Sequence, residues 1–123
     1  MTRICIAGGP QVGKTTLARE LDPLAYSTDA RLLGLPWGIQ SDAVVGMLAA
    51  EGPWVIEGVP VIRALRKWLR SHPEGQPCDT LYWRFESRGG RSGGQEALAK
   101  GCLAVYEEIR PELERRGVEI RTF

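Results

Sequence analysis

Nine residues near the start, "GGPQVGKTT" at 8–16, carry the strongest chemical signal in the chain. They fit the spacing G-x-x-x-x-G-K-[ST] at every fixed position: Gly8, Gly13, Lys14 and Thr15. That spacing suits a chain of phosphates for a physical reason. Small residues let successive backbone N–H groups turn inward around phosphate oxygens, where a side chain would block approach. A helix opening at Gly13 adds the positive end of its dipole. Lys14 then reaches the β and γ phosphates, and the Thr15 hydroxyl supplies a ligand to Mg²⁺. The expected cradle is Gly8, Gly9, Pro10, Gln11, Val12, Gly13, Lys14, Thr15 and Thr16, with ATP and Mg²⁺ as its cofactors. Ordinary residue frequencies give this pattern by accident in a chain of this length roughly once in a hundred times or less.

Elements on either side must hold the loop in place. Residues 3–7, "RICIA", read as a short buried strand, and from Gly13 "GKTTLAREL" reads as a helix that Asp22-Pro23 ends. "AYST" at 25–28 is a second short strand, followed by Asp29, and 32–40, "LLGLPWGIQ", reads as a loop. Ser41-Asp42 is expected to cap a helix running to about Glu51. Strands at 53–58 and 79–85 enclose a helix at 60–72, which has Pro60 at its start and basic residues late. A glycine-rich basic loop, "ESRGGRSGG", leads into a long helical stretch in which Pro111 marks an expected kink or joint. "VEIRTF" closes the chain as a fifth strand. Strands alternating with helices argue for a parallel sheet covered on both faces.

Bulk properties narrow the partners. With 123 residues the chain is expected to be one domain, 1–123, and a net charge of +1 gives no global case for nucleic acid or membrane binding. Cys5, Cys78 and Cys102 form no CxxC pair and no zinc spacing, so reduced, packed thiols are expected. The absence of a signal-like leader or a long apolar run points to a cytoplasmic protein without a membrane segment.

The motif and the order of elements resemble a P-loop NTPase of the small-molecule kinase type, similar to adenylate-kinase-like, shikimate-kinase-like and polynucleotide-kinase-like proteins and to small phage P-loop proteins. The resemblance implies a three-layer P-loop fold with a five-strand parallel sheet in the order 2-3-1-4-5 and ligands at the carboxyl ends of the strands. It implies an ATP-dependent kinase that moves the γ-phosphoryl group to a small acceptor such as a nucleoside, nucleotide or similar metabolite. Transfer to the 5′-hydroxyl of a polynucleotide, or a nucleotide-binding module with slow hydrolysis or none, are the alternatives.

Within that resemblance Asp29, after the second strand, looks like the base that takes the acceptor's proton, unless it caps a helix. Glu57, ending "PWVIEG", would hold Mg²⁺ with Thr15 or orient the acceptor. Gly58 would let an acceptor approach the backbone or would form a turn. Arg31 and Arg63 are candidate acceptor-binding residues, because guanidinium bonds phosphate or carboxylate in bidentate fashion. Arg88 and Arg91, in a lid-like loop at about 86–95, would bring charge onto the transferring phosphoryl group unless that loop is only a solvated segment. Trp37 either stacks on a base or fills a gap beneath its loop.

Overall fold

A computed structural model describes residues 2–123. The chain runs β1 (Arg3–Gly8), α1 (Lys14–Leu21), β2 (Tyr26–Ser27), α2 (Thr28–Leu32), α3 (Trp37–Leu48), β3 (Trp54–Glu57), α4 (Val61–Ser71), β4 (Thr80–Arg84), α5 (Gly93–Arg115) and β5 (Glu119–Thr122). The five strands form one all-parallel sheet in the order β2-β3-β1-β4-β5, as the resemblance implied. With β1 at the centre, the loop that follows it emerges in the middle of the carboxyl edge.

Strand alternation sorts the core into two. Cys5 and Ala7 of β1, Ile56 of β3 and Leu81 and Trp83 of β4 point to one face, where α3, α4 and α5 supply the larger apolar cluster. Ile6 and Val55 point to the other face, where Ala18 and Leu17 of α1 cover them. The sheet is therefore the middle of three layers, since a parallel sheet must be covered on both sides. α4 shows how periodicity builds this. Val61, Ile62, Ala64, Leu65, Trp68 and Leu69 fall on its buried face, while Arg66, Lys67 and Arg70 take the outer one. Its end is closed by His72, whose ring stacks on Trp68 at 4.0 Å.

Several expectations shift. The strand expected at 25–28 ends at Ser27, because Thr28 and Asp29 open the short helix α2 with Ser27 at its N-cap, and α3 ends at Leu48, short of Glu51. α3 begins at Trp37, four residues before the expected Ser41-Asp42 cap, because Pro36 stands at its N-cap with extended ψ and starts the helix instead of breaking a loop. α5 is one continuous helix through Pro111. The carbonyl deprived of a donor there is that of Glu107, an exposed residue, so the missing bond falls on the solvent side of the helix.

The amino edge of the sheet is tied by Asp79. Its carboxylate accepts the Arg3 amide at 2.7 Å, its own amide donates to the Arg3 carbonyl at 2.8 Å, and its carbonyl accepts the Glu119 amide at 3.0 Å. The hydrogen bond from the Arg3 backbone, more than the Arg3 charge, holds the Asp79 carboxyl below its ordinary value. A carboxyl depressed in the folded state stabilises above its unfolded pKa and loses that contribution as pH falls through the folded one. Asp79→Ala is thus expected to lower Tm by roughly 2–5 °C at neutral pH, with the gap to the parent closing once pH drops below 3.8. Thermal melts across pH read this directly.

Candidate functional site

The turn from β1 into α1 is a wrapped loop with a strained backbone. Gln11 has a positive φ of 64° and Gly13 one of 88°, the left-handed region that excludes most side chains from such turns. α1 opens at Lys14 with no side chain capping its first turn, so its first amides are not taken by a side-chain cap. The Lys14 side chain is only 7% exposed and donates one bond to the Gly9 carbonyl at 2.6 Å. An ammonium has three donors, so this one bond leaves capacity for an anion. Burial lowers the Lys14 pKa, and the charges of Glu57 and Asp29 oppose that shift.

Glu57 ends β3 beside this loop and is 1% exposed. Its Oε1 accepts the Ser27 hydroxyl at 2.5 Å and the Thr15 hydroxyl at 3.3 Å. Its Oε2 is buried without a hydrogen-bond partner among the described residues. Burial is the main cause that raises the Glu57 pKa, while the Ser27 bond and the Lys14 charge pull it down. Parallel pairing explains the meeting with Ser27, which lies opposite Glu57 in the β2–β3 register. Gly58 follows with φ 149°, and any Cβ there would strike the Thr28 hydroxyl, so its role is to let α2 pack close.

A cavity of about 490 Å³ opens above these groups. Residues 10–16 form its floor, and Asp29, Trp37, Glu57 and Val59 together with Gln95 and Leu98 of α5 form its walls. Among the expected site residues, then, Pro10 to Thr16, Asp29 and Glu57 share one cavity, with Gly8 and Gly9 beneath it. Trp37 stands 47% exposed on the wall and does not fill a gap under its loop.

The arginines are placed differently from one another. Arg91 is 2% exposed at its side chain, and its guanidinium donates to the carbonyls of Pro10 and Phe85, each at 2.7 Å. It also lies 5.6 Å over the Phe85 ring and 3.8 Å from Glu96. Arg88 donates its backbone amide to the Gln11 carbonyl at 2.6 Å, and its side chain packs over Gly13. Segment 86–92 thus rests against the outer side of loop 10–13. Arg63 turns toward α5, where it meets Cys102 Sγ at 3.4 Å, and Arg31 lies over the Tyr26 ring, so neither lines the main cavity. α5 keeps its own first turn occupied through the reciprocal Ser92–Gln95 capping bonds.

Sequence reasoning did not single out Ser27, Thr28, Gln95 or Leu98. Ser27 becomes legible only through strand register, and the α5 pair only through the packing of that helix against the loop. Among the described residues no cluster of three His, Cys, Asp or Glu side chains exists that could hold a metal by itself. The donor set fits Mg²⁺ in another way, because that ion is commonly held by one or two protein groups plus phosphate oxygens and water. Thr15 and the unpartnered Glu57 Oε2 are the groups available for it. No known protein-family model matches the chain, and no curated protein matches it in sequence.

Two consequences are measurable. A carboxyl raised by burial favours the folded state fully below its ordinary value of 4.5 and loses that contribution as pH rises through its folded pKa. In metal-free buffer, the Tm of the parent relative to Glu57→Gln should therefore fall as pH is raised from about 4 to neutrality. Arg91→Ala removes a buried guanidinium and leaves two carbonyls without their donor, so Tm should drop by several °C, roughly 4–10. Amide hydrogen exchange across 9–13 should rise by at least tenfold in the same variant.

Proposed function

We propose that the chain binds ATP with Mg²⁺ and transfers the γ-phosphoryl group to a small hydroxyl-bearing acceptor, as P-loop kinases do. One observation carries the reading: Lys14, Thr15, Glu57 and Asp29, together with an uncapped helix start, converge on a single cavity at the carboxyl edge of a parallel sheet. Each of these groups has a use there. The loop amides and Lys14 bind the β and γ phosphates and offset their charge. Thr15 and Glu57 would hold Mg²⁺, which supplies Lewis-acid neutralisation of the phosphate oxygens when bound.

Asp29 accepts the proton of the acceptor hydroxyl. The acceptor oxygen forms a bond to the γ phosphorus as the bond from that phosphorus to the β–γ bridging oxygen breaks, and ADP leaves. Arg88 packs over Gly13 from outside the cavity lining and so braces the phosphate loop. Arg91 acts through the loop it grips. Three buried free thiols suit a reducing, cytoplasmic setting. A second reading, transfer to the 5′-hydroxyl end of a nucleic acid, is favoured by Arg19 and Arg31, which border a smaller hollow of about 220 Å³ behind Thr15 and Glu57.

The test is ATP-to-ADP turnover with Mg²⁺ against nucleosides, nucleoside monophosphates, 5′-hydroxyl oligonucleotides and small hydroxy acids. Acceptor-dependent turnover is expected. Lys14→Ala should cut kcat/KM by roughly a hundredfold or more, and Asp29→Asn should cut kcat by about 10²–10⁴ with little change in the KM for ATP. ATP binding with no stimulated turnover, and no effect of Asp29→Asn, would leave a nucleotide-binding module in place of a kinase.

A further inference from the structure

The α2–α3 connection and the first turn of α3 are apolar where they meet water, with Leu33, Leu35, Trp37 and Ile39 all exposed. Of these four, Trp37 lines the cavity that Asp29 also lines. Leaving half of an indole in water forgoes the stabilisation that burying it would bring, so local folding gives no reason for this placement.

The backbone beneath the ring is firmly held. The Gln40 side chain donates to the Leu35 carbonyl at 2.7 Å and the Ser41 hydroxyl to the Gly38 carbonyl at 3.0 Å, and both residues are buried. Lys67 of α4 reaches across to the Gly38 carbonyl at 3.2 Å, Ser41 Oγ at 2.7 Å and Asp42 at 2.8 Å. A planar apolar surface is thus mounted on a rigid base at the cavity mouth.

Position in the cavity decides which ligand meets it. Trp37 lines the same cavity as Asp29, the group proposed above as the base for the acceptor's hydroxyl. A ring stacked on Trp37 would therefore share that cavity with Asp29.

We propose that Trp37 is the stacking platform for the acceptor, which is a hydroxyl-bearing molecule built on a planar aromatic or heteroaromatic ring, of the nucleoside kind. This deepens the phosphoryl-transfer reading and rests on it for the acceptor's role, although stacking itself can be measured alone. Base–aromatic stacking tolerates ring identity, because every base presents a π face.

Calorimetric titration of the full chain tests this with adenosine, thymidine and uridine against glycerol and ribose, each with and without Mg²⁺ and a non-hydrolysable ATP analogue. Ring-bearing compounds are expected to bind at least about tenfold more tightly than ring-free ones. Trp37→Ala should weaken them roughly five- to a hundredfold, and Trp37→Phe should retain most of the affinity. Tm should stay near the parent's in both, since the side chain is half exposed. The proposal falls if ring-bearing compounds do not bind, if ribose binds as well as they do, or if Trp37→Ala leaves their affinity unchanged. It also falls if Trp37→Ala weakens the ATP analogue instead, which would give the ring to the donor base. The parent reading fails separately: nucleoside binding that depends on Trp37, in a chain that does not bind the ATP analogue, would keep the stacking site and discard phosphoryl transfer.

Discussion

Two opposite charges are buried at one edge of the sheet without touching. Lys14 bonds a carbonyl and Glu57 bonds two hydroxyls, and among the described residues no ion pair joins them. Desolvation works against both, pushing the lysine pKa down and the glutamate pKa up. Stability alone would favour bringing them into contact or replacing them with apolar side chains. Holding them apart keeps a gap between an ammonium and a carboxylate. On the proposed reading, a phosphate bound to Mg²⁺ would fill such a gap in the right sense, with phosphate toward Lys14 and the metal toward Glu57. The rest of the fold answers to this constraint.

The loop that carries Lys14 is braced from outside its cavity. A Cβ at Gly9 would stand 2.6 Å from that of Ala99, so α5 packs directly on the backbone there. Arg91 adds a buried guanidinium that binds one carbonyl of the loop and one at the end of β4. Because carbonyls on the outside take these donors, the amides on the inside are left for a ligand. Rigidity of this kind favours anion binding, since donors already aimed at their target need no reordering when it arrives.

Much of this was legible in the residue pattern, and the exceptions have physical causes. The glycine–lysine spacing, the five strands and their alternation with helices depend on local sequence and on period, and the sheet order agrees with the resemblance they carry. Sequence position alone could not orient Arg63: it falls one turn after Glu57, yet the face of α4 that it occupies looks toward Cys102 and Gly101. Ser27 has no signature in "AYST", because its bond to Glu57 exists only once β2 and β3 pair in register. The start of α3 was hidden by Pro36 and Gly38, which resemble loop punctuation until Lys67 and Gln40 pin the turn. Local signals fixed the elements, whereas contacts distant in sequence oriented their side chains.

The two sides of the cavity differ in how they are made, and the difference has a functional meaning. Its floor lies on a short glycine-bound turn, where a Cβ at Gly8, Gly9 or Gly13 would meet the Arg84 carbonyl, Ala99 or Arg88. On the proposed reading, such a surface would recognise the phosphates that all nucleotides share. The opposite wall includes the side chains of Asp29 in α2 and Trp37 at the start of α3, where hydrogen bonds from Gln40, Ser41 and Lys67 hold the backbone around Trp37 whichever side chain it displays. Substitution at Trp37 leaves those bonds intact, so this wall can change its ligand without disturbing the fold. On the proposed phosphoryl-transfer reading, a fixed phosphate end would face an exchangeable acceptor end, and one small domain could keep its chemistry while its specificity varies.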